Sequence, residues 1–195
     1  MASPSLEEGR VTRERYWQLV EDGVIGPDDR VELLDGVIVA MSPQNPPHAY
    51  AVARLSRWLH AVVGNEGFVR VRMPLDVSAA SIPEPDLAVI AGRIEDAATG
   101  HPTTALLIVE VAESSVAQDR LTKGPMYAAA GIPEYWLVNL REHCVEVHRQ
   151  PVRAERRYVE TRIARADDVL DVAALPDSSI SVHEILPPLP STRSR

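Results

Sequence analysis

A chain of 195 residues, 45% of them hydrophobic and 25% charged, carries enough apolar material for one sizeable core and excludes general disorder. The single cysteine, Cys144, excludes an internal disulfide and a cysteine-built zinc site, and the net charge of −8 disfavours a protein that coats nucleic acid through bulk electrostatics. No apolar run approaches the roughly 18 residues of a membrane span, and the opening MASPSLEEGR lacks the order of a signal peptide, so a cytoplasmic protein with no membrane partner is expected.

Residues 12–22 place Tyr16, Trp17, Leu19 and Val20 on a helical stripe, with Thr12 as N-cap and Gly23 after the end. Asp35-Gly36 then falls between two aliphatic runs, which predicts a two-residue hairpin over about Val31 to Met41. QNPPH reads as a loop into an amphipathic helix from His48 to Val63, with Val52, Leu55, Leu59 and Val62 at helical spacing. FVRVRMPLDV alternates apolar residues with Arg70 and Arg72 and reads as a half-buried strand. DLAVIAG is a strand, and ALLIVEVAESS is a continuous apolar run of the kind that is buried on both faces of a sheet.

Ser114 or Ser115 can cap a helix running to about Ala130, in which Pro125 should force a kink or restart just after Lys123. EYWLVN, HCVEVHR and RRYVETRI complete the strands, and the finish from Ala166 is strand-poor. Two helices among six or more strands, with one strand-helix-strand crossover over 105–138, predict an α/β protein with a mixed central β-sheet flanked by helices. A single domain is expected over 1–186, preceded within it by the 12–22 helix and followed by a frayed tail at 187–195.

Three carboxylates stand where strand patterning prefers apolar or turn residues: Glu32 in VELL, Asp86 opening DLAVI, and Glu110 in LLIVEV. A buried charge costs several kcal/mol unless it is paired or bound to metal. Asp86 and Glu110 lie on consecutive predicted strands, so pairing those strands can carry both to one sheet edge. Oxygen ligands on a rigid sheet suit Mg²⁺ or Mn²⁺, which also accept a backbone carbonyl such as that of Val111. Lys123 is the only lysine among 20 basic residues, and it follows Glu110 on the element that returns across the sheet.

Each residue also has a plainer use. Asp86 could be a turn residue after Pro85, Glu110 could form an edge salt bridge, and Lys123 could be solvated. Glu32 could face water, and His48 could cap a helix start. His143, Cys144 and His148 read as packing and surface rather than a metal group, and Tyr135 and Trp136 as core rather than a base-stacking platform. The arginine-rich stretch 141–165 could touch a phosphate backbone, although a solvated sheet edge protected by charge is the more ordinary account.

Taken together, PEPDLAVI, LLIVEVAESS and DRLTKGPMYAAAGIPEYWLVN resemble the Uma2 family, also described as DUF820, from about Val31 to Arg149. Members are placed in the PD-(D/E)xK, restriction-endonuclease-like nuclease superfamily. The resemblance implies that fold, with Asp86 and Glu110 as metal ligands. Ala112 stands where the superfamily's short motif has lysine, and Lys123 matches the helix lysine that takes its place. Glu32 matches the acidic residue of the family's hairpin, His48 the histidine opening the next helix, and Asp119 a recurring supporting position. The implied activity is Mg²⁺- or Mn²⁺-dependent hydrolysis of DNA phosphodiester bonds, with a homodimer as a possible assembly. The alternatives are a catalytically inactive, nuclease-like dimeric interaction or regulatory module, and a hydrolase of small phosphoesters.

Overall fold

The computed structural model describes residues 9–188. Helix α1 (Arg13–Glu21) is capped by the Thr12 hydroxyl, which accepts the Arg15 N–H. Of its predicted stripe only Tyr16 is buried; Val20 is exposed, because the helix touches the body along a narrow seam. Strands β1 (Val31–Leu34) and β2 (Val37–Ala40) then form the predicted hairpin. Asp35 and Gly36 have φ of +46° and +82°, the left-handed pair that a tight turn matched to strand twist requires.

Helix α2 spans Pro46–Val62, two residues earlier than the expected start. Asn45 is its N-cap, its side chain accepting the His48 N–H, and the two prolines occupy the first turn, where no amide donor is needed. The six remaining long strands form one sheet in chain order: β3 (Gly67–Val71), β4 (Leu87–Ala91), β5 (Leu107–Ala112), β6 (Glu134–Asn139), β7 (Cys144–Val152) and β8 (Arg157–Ala164). Neighbours are antiparallel except β5 and β6. That parallel pair demands a crossover, supplied by α3 (Val116–Gln118), a π-helical turn (Asp119–Lys123) and α4 (Gly124–Ala130). The mixed sheet flanked by helices is the expected fold class.

Strand β5 is buried at every position, as an apolar run interrupted only by Glu110 requires. On one face of the sheet, Trp136, Val138 and Val145 pack against Leu55 and Leu59 of α2; on the other, Ile108, Tyr135 and Leu137 pack against Met126 and Tyr127 of α4. Burying each large apolar side chain contributes roughly 1.5–3 kcal/mol. Tyr135 and Trp136 are therefore core residues.

Two expectations need correction. In the half-buried strand read over 68–77 it is Arg70, not the apolar residues alternating with it, that is buried, and its guanidinium donates to the Pro74 carbonyl at 3.2 Å. The segment after Ala166 is also more ordered than its composition suggests. Strands β9 (Val169–Leu170) and β10 (Ile180–Ser181) pair, α5 (Val182–Ile185) follows, and Leu170, Val172, Leu175, Val182 and Ile185 join the core under α2. Widely spaced apolar residues carry no periodicity along the chain, yet each fills a place on the same face. Most of the tail expected at 187–195 lies outside the described residues.

Candidate active site

The β4–β5 ladder runs from Val89 paired with Leu107 to Leu87 paired with Val109, and there it stops. Strand β5 continues beside β6 as far as Ala112. The two strands thus part at a fork, and Asp86 sits at its mouth: its Oδ2 accepts the Val111 N–H at 2.9 Å, replacing a backbone partner that β4 no longer offers. Glu110 is on the diverging part of β5, 4% exposed, and it shares a cleft with Asp86, Val111, Glu32, His48 and Lys123. Residues separated by up to 91 positions in sequence therefore meet in one place.

Lys123 reaches the cleft because of Pro125. The missing proline N–H falls in the first turn of α4, and the preceding turn widens so that the Gly124 N–H donates to the Asp119 carbonyl five residues back. This turn points Asp119 and Lys123 inward together. The Lys123 ammonium lies 3.0 Å from Glu110 Oε1, 3.0 Å from Glu32 Oε1 and 3.9 Å from Asp119 Oδ1. The predicted helix thus comes in three pieces rather than one; Ser115 takes the N-cap position as expected, but its hydroxyl donates to Asp119 at 2.7 Å instead of accepting a backbone N–H.

Glu32 is 3% exposed, not a water-facing residue, and its Oε2 accepts the Glu84 N–H at 3.1 Å. His48 stands in the first turn of α2 with Nε2 3.1 Å from Asp86 Oδ2. Its Nδ1 is buried without a partner among the described residues. Val111 contributes its N–H to Asp86 and lines the cleft beside Glu110.

Arg72 and Glu84 in the cleft wall, and Tyr127 buried behind Glu110, have contacts that the sequence did not indicate. Tyr127 donates its hydroxyl to Glu110 Oε1 at 2.6 Å, Arg72 Nε lies 3.8 Å from Asp86 Oδ1, and Glu84 lines the wall beside Glu32. Tyr127 reads in sequence as an ordinary helix aromatic. Arg72 looks like the outer face of a strand but has φ of +51°, a local backbone conformation that sequence patterning does not reveal. The His143, Cys144 and His148 group is not assembled as a metal site: Cys144 is buried, and His148 stacks on Tyr135.

The electrostatics are lopsided. Five carboxyl groups (Glu32, Glu84, Asp86, Glu110 and Asp119) face three permanent cations (Arg30, Arg72 and Lys123), in a cleft with about 60 Å³ open to water. Burial pushes the Glu110 carboxyl up to about 8; Lys123 opposes the shift, and Asp119, Asp86 and Glu32 add to it. Burial likewise raises Asp119 and Glu84, with Lys123 again opposing. For Lys123 burial disfavours the charge, but the attraction of Glu110, Glu32 and Asp119 outweighs it and holds the ammonium protonated. Among the described residues, no group of three or more His, Cys, Asp and Glu side chains is already drawn together as a metal cage, since the ammonium occupies the space between them. The donor set nevertheless fits a hard divalent cation: the oxygens are carboxylate, and the excess charge is negative.

The fold finds a counterpart among solved structures. A crystal structure from Anabaena variabilis, described as a putative nuclease belonging to DUF820, superposes with a TM-score of 0.71 at 17% identity, covering 90% of this chain and 97% of that one. The fold is thus that of the DUF820 nuclease-like proteins. The Uma2 family model, described as "Putative restriction endonuclease", matches residues 13–183, and the chain belongs to that family. No functionally curated relative matches it. No helix among the described residues is long and apolar enough to cross a membrane.

Proposed function

We propose that this chain is a cytoplasmic, Mg²⁺- or Mn²⁺-dependent endonuclease that hydrolyses DNA phosphodiester bonds, its single domain spanning 1–186. The observation that carries the reading is the charge imbalance in the cleft, five carboxyl groups against three cations, which a divalent ion offsets. Asp86 and Glu110 would hold the ion from the two arms of the strand fork, with the Val111 carbonyl as a third oxygen. When bound, such an ion polarises a phosphate and lowers the pKa of an attacking water.

The chain's own groups divide the remaining work. Lys123, held protonated, supplies a positive charge where negative charge develops on the phosphate, and Tyr127 fixes the Glu110 carboxyl from behind. Glu32 and His48 stand where they can orient a water, each tethered to a neighbour that sets its direction: Glu32 by the Glu84 N–H, His48 by Asp86. Asp119 supports Lys123 rather than the ion. Arg72 and Arg30 line the wall and offset the otherwise acidic approach for a phosphate backbone.

One observation favours a second reading, an inactive interaction module. Asp86 and Glu110 already have protein partners, so the cluster can persist as a closed ion-pair network. Cleavage of supercoiled DNA, single-stranded DNA, RNA and an aryl phosphate, with Mg²⁺, Mn²⁺ or EDTA, separates the readings. The nuclease reading requires nicking of DNA that EDTA and Asp86→Ala both abolish. Activity that survives Asp86→Ala would place the chemistry elsewhere, and inertness with every substrate would favour the module.

A further inference from the structure

Strand β8 closes the sheet on the side away from β3: β7 pairs with one of its edges, and the other has no strand partner among the described residues. Six of its eight residues are exposed, including the branched apolar Val159 and Ile163 at 53% and 54%. An open edge of this length is a template for a further strand unless proline, a bulge or like charges protect it. Between Arg157 and Ala164 there is no proline. The charges are also arranged in the opposite sense from protection, because Glu160 and Arg162 flank Thr161 symmetrically.

We propose that two copies of this chain associate through β8, antiparallel about a twofold axis at Thr161. Successive residues of a strand aim their N–H groups at opposite edges, so a twofold antiparallel pairing must centre on a residue. Centred on Thr161, it sets Glu160 against Arg162 of the second copy, and Val159 against its Ile163, each pair occurring twice. Centred one residue earlier it opposes Glu160 to itself, and one residue later it opposes Arg162 to itself, both repulsive. Among these three registers the central charges favour the one centred on Thr161, its only like-charge pair being Arg157 against Arg165 where the strand ends. In the single chain these groups are engaged only at the surface: Arg162 donates to Asp168 at 2.9 Å and Gln150 donates to Glu160. Exposed contacts of that kind are weak enough to exchange for cross-copy partners. Because the pairing uses the same edge on both copies, assembly stops at two.

Sedimentation equilibrium of the full chain tests this. The wild type is expected at twice its 21.4 kDa mass. Glu160→Arg places arginine against Arg162 on both sides and should give monomer at concentrations where wild type is dimeric. Glu160→Arg combined with Arg162→Glu restores opposite signs in the same register and should restore the dimer. Thr161→Cys should give a covalent dimer under mild oxidation, while Val159→Cys, which does not meet itself, should not. A wild type that is monomeric throughout, a Glu160→Arg variant that stays dimeric, a charge-swapped variant that stays monomeric, or Thr161→Cys that fails to cross-link would each overturn the proposal. Circular dichroism checks that these surface variants remain folded.

Discussion

Replacing Lys123 by methionine keeps the length of a side chain only 6% exposed and removes the one ammonium from among Glu110, Glu32 and Asp119. Glu110, raised to about 8, already holds its proton at pH 7, so the cost falls on a second carboxyl of the cluster, which takes up a proton when it loses its counter-charge. From an ordinary glutamate value of about 4.3, at ~1.36 kcal/mol per pH unit, the deficit is roughly 3.7 kcal/mol at pH 7 and roughly 1.6 kcal/mol at pH 5.5. For a domain of this size that corresponds to a melting temperature lower by about 10 °C at pH 7 and about 5 °C at pH 5.5. Thermal unfolding of both proteins in EDTA at the two pH values measures it. A deficit below about 1 kcal/mol at pH 7 would show that the ammonium does not compensate the carboxylates. A deficit equal at both pH values would point to a packing defect instead.

The remaining predictions concern the proton, the cation and the C-terminal clasp. Because the folded-state value of Glu110 is raised to about 8, its proton stabilises the metal-free fold at low pH, and that contribution disappears as pH rises through about 8. Relative to Glu110→Gln, metal-free wild type should therefore lose stability between about pH 4.3 and 8, as urea unfolding will report; parallel curves would contradict the shift. The cation must displace the same proton, so Mn²⁺ affinity measured by calorimetry should increase toward pH 8 and not decrease. Asp86→Asn keeps an acceptor for the Val111 N–H but removes one charge, and should abolish the rise in melting temperature produced by excess Mg²⁺ while leaving the EDTA melt nearly unchanged. Glu134, 1% exposed, accepts from Arg149, Trp136 and the Ala173 N–H, so Glu134→Ala should cost about 3 kcal/mol and speed hydrogen exchange over 168–186.

The residues themselves announced much of this architecture. Asp35-Gly36 needs left-handed backbone at both positions, which few other pairs adopt cheaply, so the hairpin is written locally. The apolar run at 107–112 can satisfy its surface only at the centre of a sheet, and the crossover from it to Glu134–Asn139 was legible because a parallel neighbour needs an intervening helix. Glu110 stood out for a related reason, as a charge where burial is obligatory.

What sequence could not decide is where strands part and which way side chains face once they do. The fork beyond Leu87 and Val109, the left-handed Arg72 and the widened turn at Asp119–Lys123 depend on contacts between distant segments. So do the inward turn of Arg70 and the packing of residues 170–186 under α2. Local propensity and periodicity register a residue's immediate neighbours along the chain. Burial, and the meeting of Glu32, Asp86, Glu110 and Lys123 in one cleft, follow from the sheet as a whole, whose long-range pairing closes only when the entire core is in place.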